Sequence, residues 1–539
     1  MRSKLFHKLV AMTLCAGMLV GMTACGNQPT EESSPNEAAD SESENEGNTS
    51  DSDLSQDDEK ISFSIAIMNG PKAENTWSEA QIEEIFNCEV ELIFLPGWED
   101  LNTKVNLLMS DEAQRPDVIW WSGMTDEYKE WVDSGLLVDL VPLLQNIEDS
   151  NILDYYDEWA MYPTYTNGSI YSIPGDVAEV SCMGTFIRKD WLDNLGMQEP
   201  KTMDEYVEYL LACVNDDPDQ NGVADTYGFG GDSGDWKYFA PFLYAYKADI
   251  QHFVVGDDGS VVHGSTQPQV KEALALMADL YRQGVFEPSI FSASEGETLF
   301  AEGKVGSFYR FLSSLNPSQQ YLQSFYQNNP NGKYEVIEPI QGPTGFSSDE
   351  RENGYGWCSY AITDKCKNPQ RVMEIMDGIA SGEMFILNKW GVEGETFELT
   401  DEGAVNFIVD ETTRNEMGLS TFTGFVNRKD LFNIQNSQEV NELFERAAET
   451  SLPLQDYRVI LNSNGELWQE YSGELNALRD QYFYGIIMGE RPIDDFDEYV
   501  ELFYSHGGHE VEEEAGLMYQ KQDEGYQEFC QLYQEWFQK

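Results

Sequence analysis

The folded part of the chain opens with alternating strand and helix patterns, which restrict it to an open α/β sheet. Residues 61–68 alternate and then become wholly apolar, as in a strand that enters a core, and residues 90–95 form a second strand pattern. Helical stretches at 77–86 and 99–108 follow these strands, and a third apolar run covers residues 116–121. This order predicts a parallel sheet with helices on its faces, whose ligands collect at the carboxyl ends of the strands.

Candidate ligand-binding side chains lie at those strand ends. Asn69 follows the first strand, Trp98 follows a Pro-Gly turn after the second, and Trp120 and Trp121 close the third. Each tryptophan could instead pack in the core, since large aromatic rings contribute strongly to core packing. Trp98 lies in a loop, so it is the better candidate for an exposed aromatic ring.

A loop at residues 217–228 has the spacing of a calcium site. Its oxygen donors occupy positions one, three, five, seven and nine, with Gly222 at position six: Asp217, Asp219, Asn221, the Val223 carbonyl and Asp225. A hard cation needs several oxygens that converge on one point, as in EF-hand loops. Position twelve is Gly228, so no glutamate closes the site, and the same residue types also form ordinary turns. We expect Ca²⁺ here.

The N-terminus has the pattern of an export signal. Three basic residues precede an apolar run, residues 9–22, that is too short for a finished membrane span. The small residues before Cys25 resemble the lipobox of bacterial lipoproteins, which implies a signal peptide at 1–24 and acylation of Cys25, for example with palmitate. The alternative is a plain secretory signal cleaved near Ala24. Residues 25–60 are acidic and nearly free of apolar residues, so we expect a disordered tether.

The net charge of −65 excludes some classes of partner. Nucleic acids and anionic membranes would be repelled by so acidic a surface, so we expect no nucleic-acid partner and membrane attachment through the lipid only. The eight cysteines contain no CxxC pair and no zinc spacing. Disulfides and buried free thiols both remain open.

A series of short motifs, taken in order, carries a family resemblance. The motifs are IRKDWL (187–192), LG (195–196), PKTMDEY (200–206), the loop at 217–228, FAEGKVGSF (300–308), CKNPQRVMEIMD (366–377), GVEG (391–394), FYGIIMG (483–489) and PIDDFDEY (492–499). Together they resemble extracellular solute-binding proteins of family 1, in the lipoprotein branch that serves oligosaccharide ABC importers of Gram-positive bacteria. The resemblance covers about residues 60–539.

The resemblance implies a periplasmic-binding-protein-like fold of type II, with two α/β lobes joined by a hinge and a ligand cleft between them. It places the first lobe at 61–180 and 354–400, and the second lobe at 181–353 and 401–539. The chain would cross near Pro174 to Phe186 and return near Gly354 to Tyr360. By the same resemblance, the calcium would be structural and would lie away from the cleft.

A sugar offers hydroxyl groups and weakly apolar ring faces, so a cleft that binds it needs aromatic platforms and fixed polar groups. The aromatic candidates are Trp98, Trp121, Trp236 and Trp357. The polar candidates are Asn69, Asp232 and Asp235. We expect one or two members of the set to line the cleft.

The chain lacks the usual sequence motifs of catalysis. It has no phosphate-binding glycine loop with its lysine, no HExxH and no GxSxG. His506 and His509 could hold a metal, although a solvent-exposed turn explains them better. We therefore predict a monomeric, lipid-anchored binding protein on the outer face of the membrane that captures an oligosaccharide for permease subunits. The alternatives are a secreted carbohydrate-active enzyme, or a peptide-binding or sensory protein on the same fold.

Overall fold

The described part of the protein contains two large β-sheets, each covered by helices. The computed structural model describes residues 60–68, 73–123, 125–175, 183–232, 235–292, 295–312, 320–350, 358–401, 403–423, 425, 431, 438–459, 461 and 465–537. The described strands are β1 Ile61–Ile67, β2 Cys88–Phe94, β3 Val118–Ser122, β4 Tyr165–Thr166, β5 Ser169–Ile170, β6 Ile173–Pro174, β7 Met183–Arg188, β8 Tyr227–Gly230, β9 Phe253–Val255, β10 Val261–His263, β11 Val305–Phe311, β12 Tyr334–Ile337, β13 Cys358–Ile362, β14 Phe397–Leu399 and β15 Val405–Phe407.

Helices connect and cover these strands. The described α-helices are α1 Trp77–Phe86, α2 Trp98–Ser110, α3 Thr125–Asp133, α4 Val141–Gln145, α5 Asn151–Tyr155, α6 Glu158–Met161, α7 Lys189–Leu195, α8 Met203–Asn215, α9 Ala240–Tyr244, α10 Pro268–Arg282, α11 Gly296–Ala301, α12 Gln320–Asn328, α13 Pro369–Ile379, α14 Gly382–Trp390, α15 Glu411–Met417, α16 Gln438–Thr450, α17 Leu452–Gln455, α18 Glu466–Ile487, α19 Asp495–Phe503 and α20 His509–Phe537. Among the residues that the structure describes, no helix combines the length and apolar character that a bilayer span requires.

The first sheet has five strands in the order β2-β1-β3-β13-β6. Strand β1 is parallel to both β2 and β3, as the alternation of strand and helix patterns predicts, whereas β13 is antiparallel to β3. Helix α1 has the predicted bounds, because Thr76 caps it and Glu79 completes a capping box. The first sheet therefore confirms the α/β fold expected from the sequence.

The second sheet has four strands in the order β12-β7-β11-β8. Strand β7 lies antiparallel to β11 and β12, and β8 is parallel to β11. All six residues of β7 are buried, so this strand lies in the centre of the sheet. Helix α8 begins at the predicted capping box of Thr202 and Glu205 and packs on this sheet. Gly306 permits the close packing, since a Cβ there would lie 2.4 Å from Cys213 Sγ.

The sequence assigns the C-terminal part, 401–539, to the second lobe. In the structure this part also contacts elements of the first lobe. Helices α18 and α19 do pack in the core beside the second sheet. However, Gly418 lies against Thr76 at the start of α1, and Tyr533 in α20 donates to the carbonyl of Tyr156 at 3.1 Å. The physical reason is that apolar side chains of α20 complete the packing around the short helices that precede the first crossing.

Four cysteines in the described part of the chain are free thiols. Cys88 and Cys213 are buried, and Cys366 and Cys530 are half-buried. Of the two possibilities left open by the sequence, these four residues follow the free-thiol alternative.

Candidate functional site

The chain passes between the two sheets at two adjacent places. The amide of Gly175 donates to the carbonyl of Cys358 at 3.0 Å, and the amide of Met183 donates to the carbonyl of Glu350 at 3.0 Å. Gly175 and Cys358 border the first sheet, while Met183 and Glu350 border the second. These hydrogen bonds hold the outgoing and returning segments side by side at each sheet, and we call this region the crossover.

The carboxyl end of the first sheet lies at the crossover. Strand β3 ends at Ser122, which is paired with Cys358. Because β1 and β2 are parallel to β3, their carboxyl ends lie along the same edge. Trp98 begins helix α2 just after β2, and 61% of its surface is exposed. This exposure agrees with the position of Trp98 after the Pro-Gly turn.

The carboxyl end of the second sheet also lies at the crossover. Phe311, the last residue of β11, is paired with Met183, the first residue after the crossing. Strand β8 is parallel to β11, so the residues that follow β8 lie at the same edge. The parallel strands of both sheets therefore point their carboxyl ends at the crossover, where ligands of such sheets bind.

Four side chains form a charged and aromatic group at the edge of the second sheet. We call this set the edge cluster: Asp232, Tyr238, Glu297 and Arg310. The Arg310 guanidinium bonds to the Asp232 carboxylate through Nη1 and to Glu297 Oε2 through Nε at 3.0 Å. Its central carbon lies 5.1 Å from the centroid of the Tyr238 ring, which is cation–π distance. The arginine is thus fixed by two carboxylates and one ring.

The backbone also holds the edge cluster in place. Asp232 Oδ1 accepts the amide of Gly296 at 2.7 Å, at the start of α11, which is the helix that carries Glu297. Burial raises the pKa of both Asp232 and Glu297, and the positive charge of Arg310 opposes part of that shift. Both carboxylates are therefore partly desolvated hydrogen-bond acceptors that lie close to an aromatic face.

This arrangement suits the binding of polar rings. Asp232 and Glu297 both pair with Arg310, which fixes the two carboxylates as hydrogen-bond acceptors. Carboxylate oxygens, guanidinium N–H groups and the Tyr238 ring together match the hydroxyls and weakly apolar faces of a sugar.

Two predicted cleft tryptophans are core residues instead. Trp121 is 4% exposed and stacks on Tyr128, with ring centroids 5.6 Å apart. Trp236 is 2% exposed, stacks on Tyr484 at 4.7 Å, and donates from Nε1 to Asp480 at 2.8 Å. The prediction that these rings line the cleft is wrong, because both are buried against aromatic side chains inside the protein.

The remaining predicted residues have mixed positions. Asp232 belongs to the edge cluster, whereas Asp235 accepts the amide of Lys237 at 3.1 Å and begins the 3₁₀ turn at Trp236–Phe239. Three further predicted residues lie outside the described residues: Asn69, Trp357 and Cys25, the predicted site of lipidation.

The loop at 217–228 folds around Asn221. The amide of Asn221 lies 3.1 Å from Asp217 Oδ1, and its side-chain nitrogen lies 2.7 Å from Asp219 Oδ2 and 3.3 Å from Asp225 Oδ1. Left-handed backbone at Asp217 and Gly222 makes the sharp turn that the pattern requires. The predicted oxygen donors therefore gather in one exposed loop.

Some contacts of this loop favour the binding of a cation, and others do not. Burial raises the pKa of Asp219, and the neighbouring carboxylates of Asp217 and Asp225 add to the shift. However, Lys304 Nζ lies 2.6 Å from Asp225 Oδ2, and within the described ranges no three His, Cys, Asp or Glu side chains converge as a metal site. The donor chemistry fits Ca²⁺, although the carboxylates here bond to backbone amides, to Asn221 and to Lys304.

A buried ionic network holds the crossover on the side of the second sheet. The Arg458 side chain is 1% exposed and pairs with both Asp249 and Glu350. Its Nη2 donates to Glu350 Oε2 at 2.7 Å and to the hydroxyl of Tyr244 at 2.9 Å. Glu350 also accepts the amide of Met183 through its carbonyl, so this network bonds directly to the crossover.

Sequence reasoning missed Arg310, Glu297, Tyr238 and Arg458. Glu297 and Arg310 lie inside or beside a recognised motif, but nothing local to either residue indicates its partner. The one available signal was the position of Arg310 near the end of a predicted strand, where ligand contacts are common.

The molecule has clear relatives. The family model for bacterial extracellular solute-binding proteins matches residues 70–381. The fructooligosaccharide ABC transporter substrate-binding protein FusA of Streptococcus pneumoniae is 28% identical over 316 residues, which cover 55% of this chain and 56% of FusA. The match thus spans little more than half the length of that relative. Lipoprotein LipO of Bacillus subtilis is 22% identical over 546 residues, which cover 96% of this chain and 99% of LipO.

The fold comparison agrees with the family model. The solved structure of S. pneumoniae FusA in complex with kestose has a TM-score of 0.68 and 20% identity, and the match covers 86% of this chain and 99% of that one. This similarity shows a shared two-lobe α/β fold. The family model covers more than half of the sequence, and its matched range includes the second sheet, the crossover and every strand of the first sheet except β1. The chain therefore belongs to the family of bacterial extracellular solute-binding proteins.

Proposed function

We propose that this protein is the substrate-binding component of an ABC importer, and that it captures an oligosaccharide at the crossover and delivers it to membrane permease subunits. The observation that carries the proposal is topological. The carboxyl ends of the parallel strands of both sheets meet the same crossover, where Trp98 and the edge cluster offer stacking and polar groups. The relatives support it, since FusA is named for fructooligosaccharides and was solved with kestose.

Binding would use the chemistry of the two edges. Trp98 stacks on an apolar sugar face, and Asp232 and Glu297 accept hydrogen bonds from hydroxyls that replace water. Arg310 orients both carboxylates and opposes part of the rise in their pKa that burial causes. Closure of the two lobes around the sugar then presents one distinct conformation to the permease, without any bond being broken.

Anchoring through Cys25 completes the proposal for location. The motif before Cys25 and the match to a protein named as a lipoprotein both support acylation at the outer face of the membrane. Mass spectrometry of the membrane fraction should find a diacylated N-terminal cysteine, and Cys25→Ser should release the protein into the medium. A protein that stays membrane-bound after Cys25→Ser would contradict the anchor.

We also propose that the loop at 217–228 binds Ca²⁺ as a structural fastener. Its support is the EF-hand-like spacing of the oxygen donors, together with the repulsion that Asp217 and Asp225 exert on the Asp219 carboxylate, which a cation would relieve. Chelation, or Asp219→Ala, should lower the melting temperature and leave sugar affinity nearly unchanged. Asp258→Ala is the matched control, since Asp258 also caps an exposed turn. If chelator leaves the melting temperature of the wild type unchanged, the loop is only a turn.

The binding function is tested by calorimetry with a panel of purified neutral oligosaccharides. Trp98→Ala should weaken the binding of the best ligand about ten-fold, since a stacked aromatic ring contributes on the order of 1.4 kcal/mol. Tyr519→Ala removes a ring that is 41% exposed on α20 and should leave the affinity unchanged. Equal losses in the two variants would reject the assignment of Trp98.

A second assay separates binding from catalysis. The protein is incubated overnight with the same oligosaccharides, and products are followed by chromatography. A binding protein returns its ligand intact, whereas new products that grow with time and protein concentration would indicate a carbohydrate-active enzyme.

A further inference from the structure

Two cations of the described residues lie at the edge of the second sheet, Arg310 and Lys237, and both are already paired with carboxylates of the protein. Arg310 is bonded to two carboxylates, those of Asp232 and Glu297. Lys237 Nζ lies 3.2 Å from Asp235 Oδ2 and 5.1 Å from the centroid of the Phe311 ring. An anionic ligand would therefore have to compete with carboxylates that are close, partly buried and fixed.

Within the described ranges, the charged side chains at this edge sum to a negative charge. Glu295 lies next to the start of α11 and adds a fourth carboxylate to those of Asp232, Asp235 and Glu297, against the two cations Arg310 and Lys237. Like charges repel most strongly where burial removes water between them, and both Asp232 and Glu297 are partly buried.

The carboxylates of the edge cluster can still accept hydrogen bonds from neutral hydroxyl groups. Each carboxylate oxygen can accept two hydrogen bonds. Asp232 Oδ1 receives the amide of Gly296 and Oδ2 receives Arg310, so each oxygen keeps one further acceptor position. A sugar hydroxyl can donate to that position. An ionised carboxylate on a uronic acid has no proton to donate at neutral pH.

Resting on the proposed function, we propose that Asp232 and Glu297 determine charge specificity: the protein takes neutral oligosaccharides and rejects acidic ones, such as uronates and sulfated or sialylated glycans. Arg310 has a positioning role in this selection, because it aligns the two carboxylates and does not engage ligand charge. The selection is local to the edge cluster. It is distinct from the net charge of the whole chain, which salt screens over about 10 Å.

The experiment compares one glycan in two charge states. The best neutral ligand from the panel is oxidised at its primary hydroxyls, which replaces CH₂OH by carboxylate and leaves the chain length and linkages unchanged. Calorimetry at neutral pH should show at least ten-fold weaker binding of the oxidised form to the wild type. Glu297→Gln and Asp232→Asn keep the side-chain shape and should each reduce that ratio by at least three-fold. Glu501→Gln, on α19, changes the net charge equally and should leave the ratio unchanged.

The outcomes separate the two proposals. Binding of no oligosaccharide in either form would overturn the proposed function and this inference with it. Tight binding of the neutral glycan together with equal or tighter binding of its oxidised form would overturn only the charge specificity. A ten-fold preference that is unchanged in both edge variants would also overturn it, since the discrimination would then arise from the lost hydroxyl and not from Asp232 and Glu297. A smaller ratio in the edge variants alone supports the inference.

Discussion

Replacing Arg458 by methionine should destabilise the protein by about 3–5 kcal/mol at pH 7, the usual result of removing one partner from a buried ion pair. Methionine fills a similar volume but leaves the carboxylates of Asp249 and Glu350 without their cation. Their side chains are 1% and 6% exposed, so water replaces little of what is lost. Asp249 keeps His252 at 2.9 Å, and Glu350 keeps the hydroxyl of Tyr244.

A ceiling for this loss follows from protonation. A buried carboxylate without a partner takes up a proton when burial of its charge would cost more free energy than protonation. Protonation at pH 7 costs about 4 kcal/mol per group, since the ordinary carboxyl pKa lies about three units below this pH. Two such groups give an upper limit of about 8 kcal/mol. Partial solvation and the remaining hydrogen bonds reduce the loss toward the range given above.

The pH dependence of the loss tests its origin. In the wild type, burial acts to raise the pKa of Asp249, but Arg458 and His252 outweigh burial and hold it below its usual range. That stabilisation is present above about pH 4 and is lost as the pH falls further. In the variant, burial of the same carboxyl group costs less free energy when the group is protonated. The difference in unfolding free energy between wild type and variant should therefore decrease to about 1–2 kcal/mol at pH 4.5.

Urea unfolding followed by circular dichroism measures both quantities. Arg282→Met is the matched control, because Arg282 is 75% exposed and pairs with Asp279 on the surface, where a salt bridge contributes about 0–1 kcal/mol. If Arg458→Met does not fold, Arg458→Lys keeps the charge, loses the two-pronged contact with Glu350, and should still cost more than the control. A loss below 1 kcal/mol, or one independent of pH, would show that water reaches this network.

Three further predictions concern the second sheet and the helices packed beside it. Burial raises the pKa of Asp349 to about 7, so its ionisation opposes folding increasingly between pH 4 and 7. The variant Asp349→Asn can still accept from Thr450, and its unfolding free energy relative to wild type should rise by about 2–3 kcal/mol from pH 5 to pH 8. The same difference between variant and wild type at pH 5 and pH 8 would contradict this. Gly306→Ala should destabilise by about 1–3 kcal/mol, since the new Cβ would meet Cys213 Sγ at 2.4 Å. Gly473 lies in helix α18 with open space around it, so Gly473→Ala should instead stabilise the protein by up to about 1 kcal/mol. Thermal unfolding measures the effect of both glycine substitutions.

Local features of the fold were predictable because local chemistry determines them. The helix that begins after Thr76 and the capping box at Thr202 follow from residues within a few positions of each other. The loop at 217–228 also folds around its own side chains. Which sheet a distant segment joins depends instead on contacts that no local pattern encodes, so the assignment of 401–539 to one lobe differs from the structure.

The errors at the tryptophans have a physical cause of the same kind. Strand β3 lies between β1 and β13 and is covered on both faces, so its apolar run cannot show which side chain is exposed. Trp236 follows a polar, glycine-rich stretch, which suggests an exposed loop. Its ring is nevertheless buried, because the 3₁₀ turn capped by Asp235 folds it against α18, where Asp480 accepts its N–H.

The contact between Asp232 and Arg310 shows what information the sequence lacked. Phe308 is paired with Gly230 in the parallel register of β11 and β8, so Arg310 comes level with Asp232, two residues beyond each. A slip of one residue would turn Arg310 to the opposite face of the sheet. The register of β11 and β8 is carried by the backbone pairs Val305–Tyr227 and Ser307–Phe229 further along the two strands. The polar contact at the proposed ligand edge is therefore set by strand pairing away from that edge, and substitutions that shift this register should change ligand specificity without touching the ligand.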